Sequence, residues 1–143
     1  MTILAVSDEV AKQYYDHYKV GMLKDIDLII SCGDLPGEYL EFLVTMAGCP
    51  LLYVHGNHDD SYREAPPKGC ICIEDRIYEY QGVRFLGLGG SYRYRPDGIN
   101  MYTEREMAWR IKKLKFSLFR KKGFDVLVTH AAACGRGDLD TVP

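Results

Sequence analysis

Short apolar runs that are followed at once by small polar residues recur along this chain and limit the folds that it can adopt. The run at residues 51–54 is followed, after His55, by Gly56-Asn57-His58-Asp59. A glycine at such a point lets the backbone turn sharply and approach another group closely. The same pattern occurs at Ser7-Asp8, Cys32-Gly33-Asp34 and Thr129-His130. Each run is typical of a buried strand whose end carries polar groups.

The order of these runs predicts a parallel α/β sheet. Strands are expected at residues 2–6, 26–31 and 51–54, with helices between them at residues 11–22 and 40–47. Gly48 and Pro50 should end the second helix. Because a helical crossover is the usual way to return a chain to the same edge of a sheet, a βαβαβ order predicts parallel strands.

The pattern changes from residue 70 onward. Two strand-like runs flank Gln81-Gly82, which predicts an antiparallel hairpin and favours a second sheet. A long helix is expected at residues 104–122, ended by Gly123, and a buried strand at residues 124–129. The apolar face predicted for the long helix consists of Met107, Ile111, Leu114 and Leu118.

Composition favours a single domain over residues 1–143. Of the 143 residues 47% are apolar, which is enough for a core, and the net charge of −2 provides no basic field for nucleic acid. No apolar run approaches the ~20 residues of a membrane span and no basic leader precedes one, so a cytoplasmic protein without membrane contact is expected. The five cysteines have no metal-ligand spacing and are expected to be buried, reduced thiols.

Four polar residues stand at or just past the ends of predicted strands: Asp8, Asp34, Asn57 and His130. Taken singly, an aspartate there is commonly a turn former or a helix cap, and His130 a hydrogen-bonded core histidine. Ligands of parallel α/β sheets bind beyond the carboxyl ends of the strands, where these residues would converge. Together they predict a metal site.

At these residues the chain resembles the calcineurin-like metallophosphoesterases, whose motifs run Asp-x-His, Gly-Asp, Gly-Asn-His-Asp or Glu, a later His and Gly-His-x-His. The resemblance covers essentially the whole chain and implies an αββα sandwich with two divalent or trivalent metal ions, Mn or Fe first, Zn or Mg as alternatives. By analogy Asp34 bridges both ions and Asp8 binds the first. Asn57 and His130 bind the second ion. His58 would face the substrate phosphate, with Asp59 orienting its ring.

The implied function is hydrolysis of a phosphomonoester or phosphodiester, because two metal ions about 3.5–4 Å apart can clamp the attacking and leaving oxygens. Two departures leave an alternative open, a non-catalytic protein-interaction scaffold with an eroded metal site. Val10 stands where the first motif has histidine, and no Gly-His-x-His follows His130. The sandwich is therefore expected to be incomplete at its C-terminus, with weak metal binding and self-association through an uncovered sheet.

Three further segments carry weaker signals, for which ordinary structural explanations exist. The glycines in Leu86-Gly87-Leu88-Gly89-Gly90 predict a close-approach loop rather than a dinucleotide fingerprint, since no helix opens there. The basic residues between 110 and 122 are expected to be a solvated helix face, with nucleic-acid contact as the alternative. The weaker candidates for substrate contact are His55 and the loop Tyr92-Arg93-Tyr94-Arg95.

Overall fold

The computed structural model describes residues 1–132, which form a mixed α/β fold. The first part of the chain comprises β1 (Ile3–Val6), β2 (Leu28–Ser31), α1 (Gly37–Ala47), β3 (Leu51–Tyr53) and β4 (Ile71–Cys72). The second part comprises β5 (Ile77–Tyr80), β6 (Val83–Leu88), β7 (Ser91–Tyr92), β8 (Met101–Tyr102), α2 (Glu104–Lys121) and β9 (Val126–Thr129).

Two main sheets account for most of the strands. The first sheet has the order β1-β2-β3-β4 and is parallel throughout, which confirms the predicted parallel sheet. The second sheet has the order β5-β6-β9, with β5 antiparallel to β6 across the predicted Gln81-Gly82 turn and β9 parallel to β6. Strands β7 and β8 form a separate short pair. Because β1, β2 and β3 are parallel, their carboxyl ends lie at the same edge of the first sheet.

The first sheet contributes to two apolar cores because successive side chains of a strand point to opposite faces. Ile29 and Leu51 face α1, where they pack with Leu40 and Leu43. The opposite face packs against the second sheet. The buried residues of this second core, which come from both sheets, are Leu28, Ile30, Leu52, Val54, Ile73, Phe85 and Val128. The two sheets thus lie face to face, with α1 outside the first sheet and α2 against β5 and β8.

The prediction of a helix at residues 11–22 is wrong. The structure has a single 3-10 turn, Lys12–Tyr14, followed by further turns. The helical spacing arose from aromatic residues that pack individually on α1. Tyr15 and Tyr18 meet Phe42 edge to face, with ring centroids 5.0 and 5.5 Å apart. Gly21, with a φ of 88°, adopts a backbone conformation that no helix contains.

Helix α2 ends as predicted, and its buried face differs from the predicted one at Ile111, in place of which Arg110 is buried. Lys122 and Gly123 adopt positive φ values and close the helix. Ile111, predicted to be buried, is 45% exposed, whereas Arg110 is only 8% exposed beside buried Leu114. Arg110 therefore does not belong to the solvated basic face on which the sequence placed it.

The last strand is less buried than predicted. Leu127 is 44% exposed and Phe124, which precedes β9, is 40% exposed. The described cysteines, Cys32, Cys49, Cys70 and Cys72, are free thiols as expected, but they are half-buried rather than buried. Cys134 lies outside the described residues. In the part of the chain that the structure describes, no helix combines the length and apolar character needed to cross a membrane.

Candidate metal centre

Two loops meet at the carboxyl ends of β1 and β2, and both place an aspartate in the left-handed backbone region. Asp8 has a φ of 62° and Asp34 a φ of 59°. Aspartate tolerates this region better than most residues, because its short polar side chain can hydrogen-bond locally. The Asp8 N–H donates to the carbonyl oxygen of Gly33 at 3.2 Å, so the two loops are joined directly.

Gly33 and Gly56 allow the loops after β2 and β3 to touch. A Cβ atom on Gly33 would lie 2.3 Å from the backbone nitrogen of Gly56, and one on Gly56 would lie 2.0 Å from Asp34 Oδ1. No side chain can occupy such a space, so glycine is required at both positions. This close approach carries Asn57 and His58 to the Asp34 carboxylate, whose Oδ1 accepts from the His58 N–H at 2.8 Å.

Three lone-pair atoms converge between these loops and β9. His130 Nε2 lies 3.0 Å from Asn57 Oδ1 and 3.4 Å from Asp34 Oδ2. The other ring nitrogen of His130, Nδ1, lies 2.8 Å from the carbonyl oxygen of Cys32. Because a carbonyl oxygen can only accept, Nδ1 donates to Cys32, and Nε2 is the ring nitrogen that faces Asn57 and Asp34. Such a backbone hydrogen bond commonly orients a metal-binding histidine.

Asp8 completes a cluster of potential ligands. One ligand atom from each of Asp8, Asp34 and His130 lies within 4.8 Å of the other two. Within residues 1–132 no lysine or arginine forms an ion pair with Asp8, Asp34 or Asp59. Val10 contributes nothing to this cluster, since it packs against the core on the α1 side of the first sheet. Among residues 1–132, the carboxylate, amide and imidazole groups gathered here are of the types that can bind a cation.

The hydrogen bonds of Asp59 differ from the expectation that this carboxylate orients the His58 ring. Asp59 is 3% exposed, and its Oδ2 accepts from the backbone N–H of Gly56 at 2.7 Å and of Asp34 at 2.9 Å. Burial raises the pKa of Asp59, the two backbone bonds oppose this, and the charge of Asp34 adds to the rise. Asp59 therefore ties the two ligand-bearing loops together.

His58 is exposed beside this cluster. Its backbone N–H is bound to Asp34, whereas its imidazole makes no hydrogen bond to any residue that the structure describes. The ring is free to meet a ligand from solvent.

A second polar cluster, whose charged side chains were not predicted, holds the neighbouring loops. Glu74 accepts from the backbone N–H of His55 at 2.9 Å and of Gly89 at 2.7 Å, and it pairs with Arg110. Arg110 also donates to Asp75 at 2.8 Å and to the Gly89 carbonyl oxygen at 2.9 Å. A Cβ atom on Gly89 would lie 2.5 Å from the carbonyl oxygen of His55, which confirms the predicted close-approach loop. The Gly-Gly pair was the one sequence signal for this cluster.

Of the weaker candidates for substrate contact, only one lies against the cluster formed by Asp8, Asp34, Asn57 and His130. The His55 ring lies 3.2 Å from Glu74 and packs edge to face on two tyrosines, so it is engaged in the second cluster. Arg93 donates to the Met101 carbonyl oxygen and to Glu106, away from the first cluster. Tyr92 is 61% exposed and makes no side-chain hydrogen bond to the described residues. Tyr94 is the loop residue that reaches the cluster, with its hydroxyl 3.0 Å from Asn57 Nδ2.

No protein-family model matches this chain, and no curated protein matches it significantly.

Proposed function

We propose that this chain is a calcineurin-like metallophosphoesterase domain that hydrolyses a phosphomonoester or phosphodiester. The two facing sheets with a helix outside each are compatible with the αββα sandwich of that family. The order of Asp8, Asp34, Asn57, His58 and His130 along the strand ends follows the family motifs. The proposal rests on the resemblance and on the geometry of the strand-end cluster.

One observation carries the metal requirement. His130 Nε2 lies 3.0 Å from Asn57 Oδ1 and 3.4 Å from Asp34 Oδ2, and no lysine or arginine of the described residues forms an ion pair with Asp34. Lone pairs at this separation repel one another unless a cation lies between them. A proton on Nε2 or a metal ion can supply that cation, and mixed carboxylate, amide and imidazole donors suit Mn, Fe or Zn.

The residues of the chain would then have distinct roles. Asp34, Asn57 and His130 would hold one ion, and Asp8 with Asp34 would hold a second, more hydrated ion. Bound ions would act as Lewis acids toward a phosphoryl oxygen. Asp59 fixes the two ligand-bearing loops through their backbone N–H groups. His58, exposed and free, would stabilise or protonate the leaving oxygen.

The experiment that tests this function is hydrolysis of p-nitrophenyl phosphate and bis(p-nitrophenyl) phosphate by the manganese-supplied protein. His58→Ala should lower turnover by roughly 10²–10⁴ while leaving bound manganese unchanged, because the imidazole acts on substrate and not on the metal. His17→Ala, which removes another exposed imidazole, is the matched control. Manganese loss together with the rate loss would show that His58 is a ligand.

A non-catalytic scaffold is the second candidate, and Val10 favours it. Valine packs on the core where the family motif has an imidazole ligand, which leaves the first ion with Asp8 and Asp34 among the described residues. Stoichiometric metal binding without any hydrolysis of either ester would favour the scaffold. Hydrolysis that depends on His58 would exclude it.

A further inference from the structure

The loop between β7 and β8, residues 93–100, is fastened to the candidate metal centre at its base. The Asn100 side chain donates to the carbonyl oxygen of Gly56 at 3.2 Å, and the Ser91 N–H donates to the Asn100 carbonyl oxygen at 3.0 Å. Arg93 holds the other side of the loop through the Met101 carbonyl oxygen at 3.0 Å. These bonds fix where the loop begins and ends, so the residue that follows Arg93 has a defined position.

Tyr94 follows Arg93 and contacts Asn57, whose side-chain amide has an oxygen at one end and an NH2 group at the other. A carboxylate presents oxygen in either orientation, but the Asn57 amide can present either Oδ1 or the Nδ2 protons. Asn57 Nδ2 donates to the Tyr94 hydroxyl at 3.0 Å, and Oδ1 is thereby turned toward His130. Among residues 1–132, this is the only hydrogen bond that Nδ2 makes. Rotation of the amide would direct protons at a cation.

We propose that Tyr94 is a positioning residue that fixes the Asn57 carbonyl oxygen toward the metal ion. This inference rests on the proposed function, because it requires an ion at Asp34, Asn57 and His130. Partners of metal ligands set ligand orientation, and their loss commonly lowers metal affinity by 10–100-fold. Tyr94 is 59% exposed, so its hydroxyl contributes little to the core, and its removal acts on the site rather than on folding.

The test is titration of the full chain with Co²⁺, read by the visible absorption of the bound ion. Tyr94→Phe should weaken Co²⁺ affinity by about 10-fold or more. The absorption band of bound Co²⁺ should also change, because one ligand is no longer held. Tyr80→Phe is the matched control. It removes a hydroxyl that also accepts from a side-chain amide, that of Gln81 at 3.2 Å, on the β5–β6 hairpin. It should leave both readouts unchanged.

A double-mutant cycle separates a role through Asn57 from a general effect of the loop. In an Asn57→Ala background, Tyr94→Phe should have no further effect on Co²⁺ affinity, because the amide that it orients is gone. Equal losses in both backgrounds would overturn the inference, as would unchanged Co²⁺ affinity in Tyr94→Phe. In either case, wild-type binding of Co²⁺ would leave the proposed metal centre standing. Absence of Co²⁺ binding by the wild-type chain would overturn both proposals.

Discussion

Asp59 is a buried carboxylate and Glu74 is a half-buried one in a neighbouring loop, and each accepts hydrogen bonds from two backbone N–H groups. Glu74 is paired with Arg110, whereas Asp59 has no basic partner among residues 1–132 and lies near Asp34. Burial opposes the charge of both. At Glu74 the bonds from His55, the Gly89 N–H and Arg110 outweigh burial and lower the pKa, whereas burial dominates at Asp59 and raises its pKa.

The difference separates a self-sufficient cluster from an incomplete one. The Glu74 cluster contains its own cation and holds the close-approach loop onto β3. The Asp34 cluster collects carboxylate, amide and imidazole lone pairs without a lysine or arginine in the described part of the chain. In the proposed function, a metal ion supplies positive charge to this cluster.

Removal of the shared carboxylate should have the largest effect. Asp34→Asn should abolish stoichiometric metal binding and turnover together, because Asp34 is the only ligand proposed for both ions. Metal content by elemental analysis and ester hydrolysis are the measurements. Asp125→Asn, which alters a carboxylate paired with Arg84 on the surface, should change neither. Retained stoichiometric metal binding and turnover in Asp34→Asn would rule out the bridging role.

Breaking the self-sufficient cluster should affect folding rather than metal. Arg110→Ala leaves the half-buried Glu74 without its cation, and loss of one partner of a largely buried pair costs about 3 kcal/mol. Arg110 has a side-chain exposure of 9%. Urea unfolding of the metal-free protein measures the loss. Arg84→Ala, which breaks the more exposed pair with Asp125, should have a much smaller effect. Equal losses in the two variants would contradict the distinction between a buried and a surface pair.

Titration of Glu74 should contribute to the pH dependence of the free energy of unfolding. Its pKa is lowered from the ordinary 4.5, so the folded state binds fewer protons than the unfolded state between that value and the folded pKa. The stabilisation is therefore present above about pH 4.5 and is lost as pH falls through the lower folded pKa. Glu74→Gln should flatten this part of the curve of urea midpoint against pH. An unchanged slope in Glu74→Gln would show that other carboxylates produce it.

The sequence predicted the elements whose residues repeat with a regular period. Strands β1 to β3, helix α1 and the hairpin at Gln81-Gly82 follow local patterns that the tertiary structure keeps. Arg110 could not be predicted, because its burial depends on Glu74, which lies 36 residues away in sequence. The prediction of a helix at residues 11–22 was wrong because aromatic side chains that pack on a neighbouring helix can have helical spacing without forming a helix.

The candidate site was predicted in part for the same reason. Asp8, Asp34, Asn57 and His130 share a position at strand ends, and the parallel sheet brings the ends together. The partner of Asp59 was predicted incorrectly, since adjacency in sequence to His58 suggested a ring contact and the carboxylate instead turns to backbone N–H groups. Tyr94 reaches Asn57 from a loop whose path has no periodic signal.

We propose that the acceptors at the ends of β1, β2, β3 and β9 form a metal site. Calorimetric titration of the metal-free chain with Mn²⁺ at neutral pH tests it most directly. We expect about one ion per chain, because one position has three protein ligands and the other has two. Binding should disappear when Asp34 and His130 are both replaced by alanine. Absence of binding at millimolar Mn²⁺, or binding that survives this double replacement, would contradict the claim.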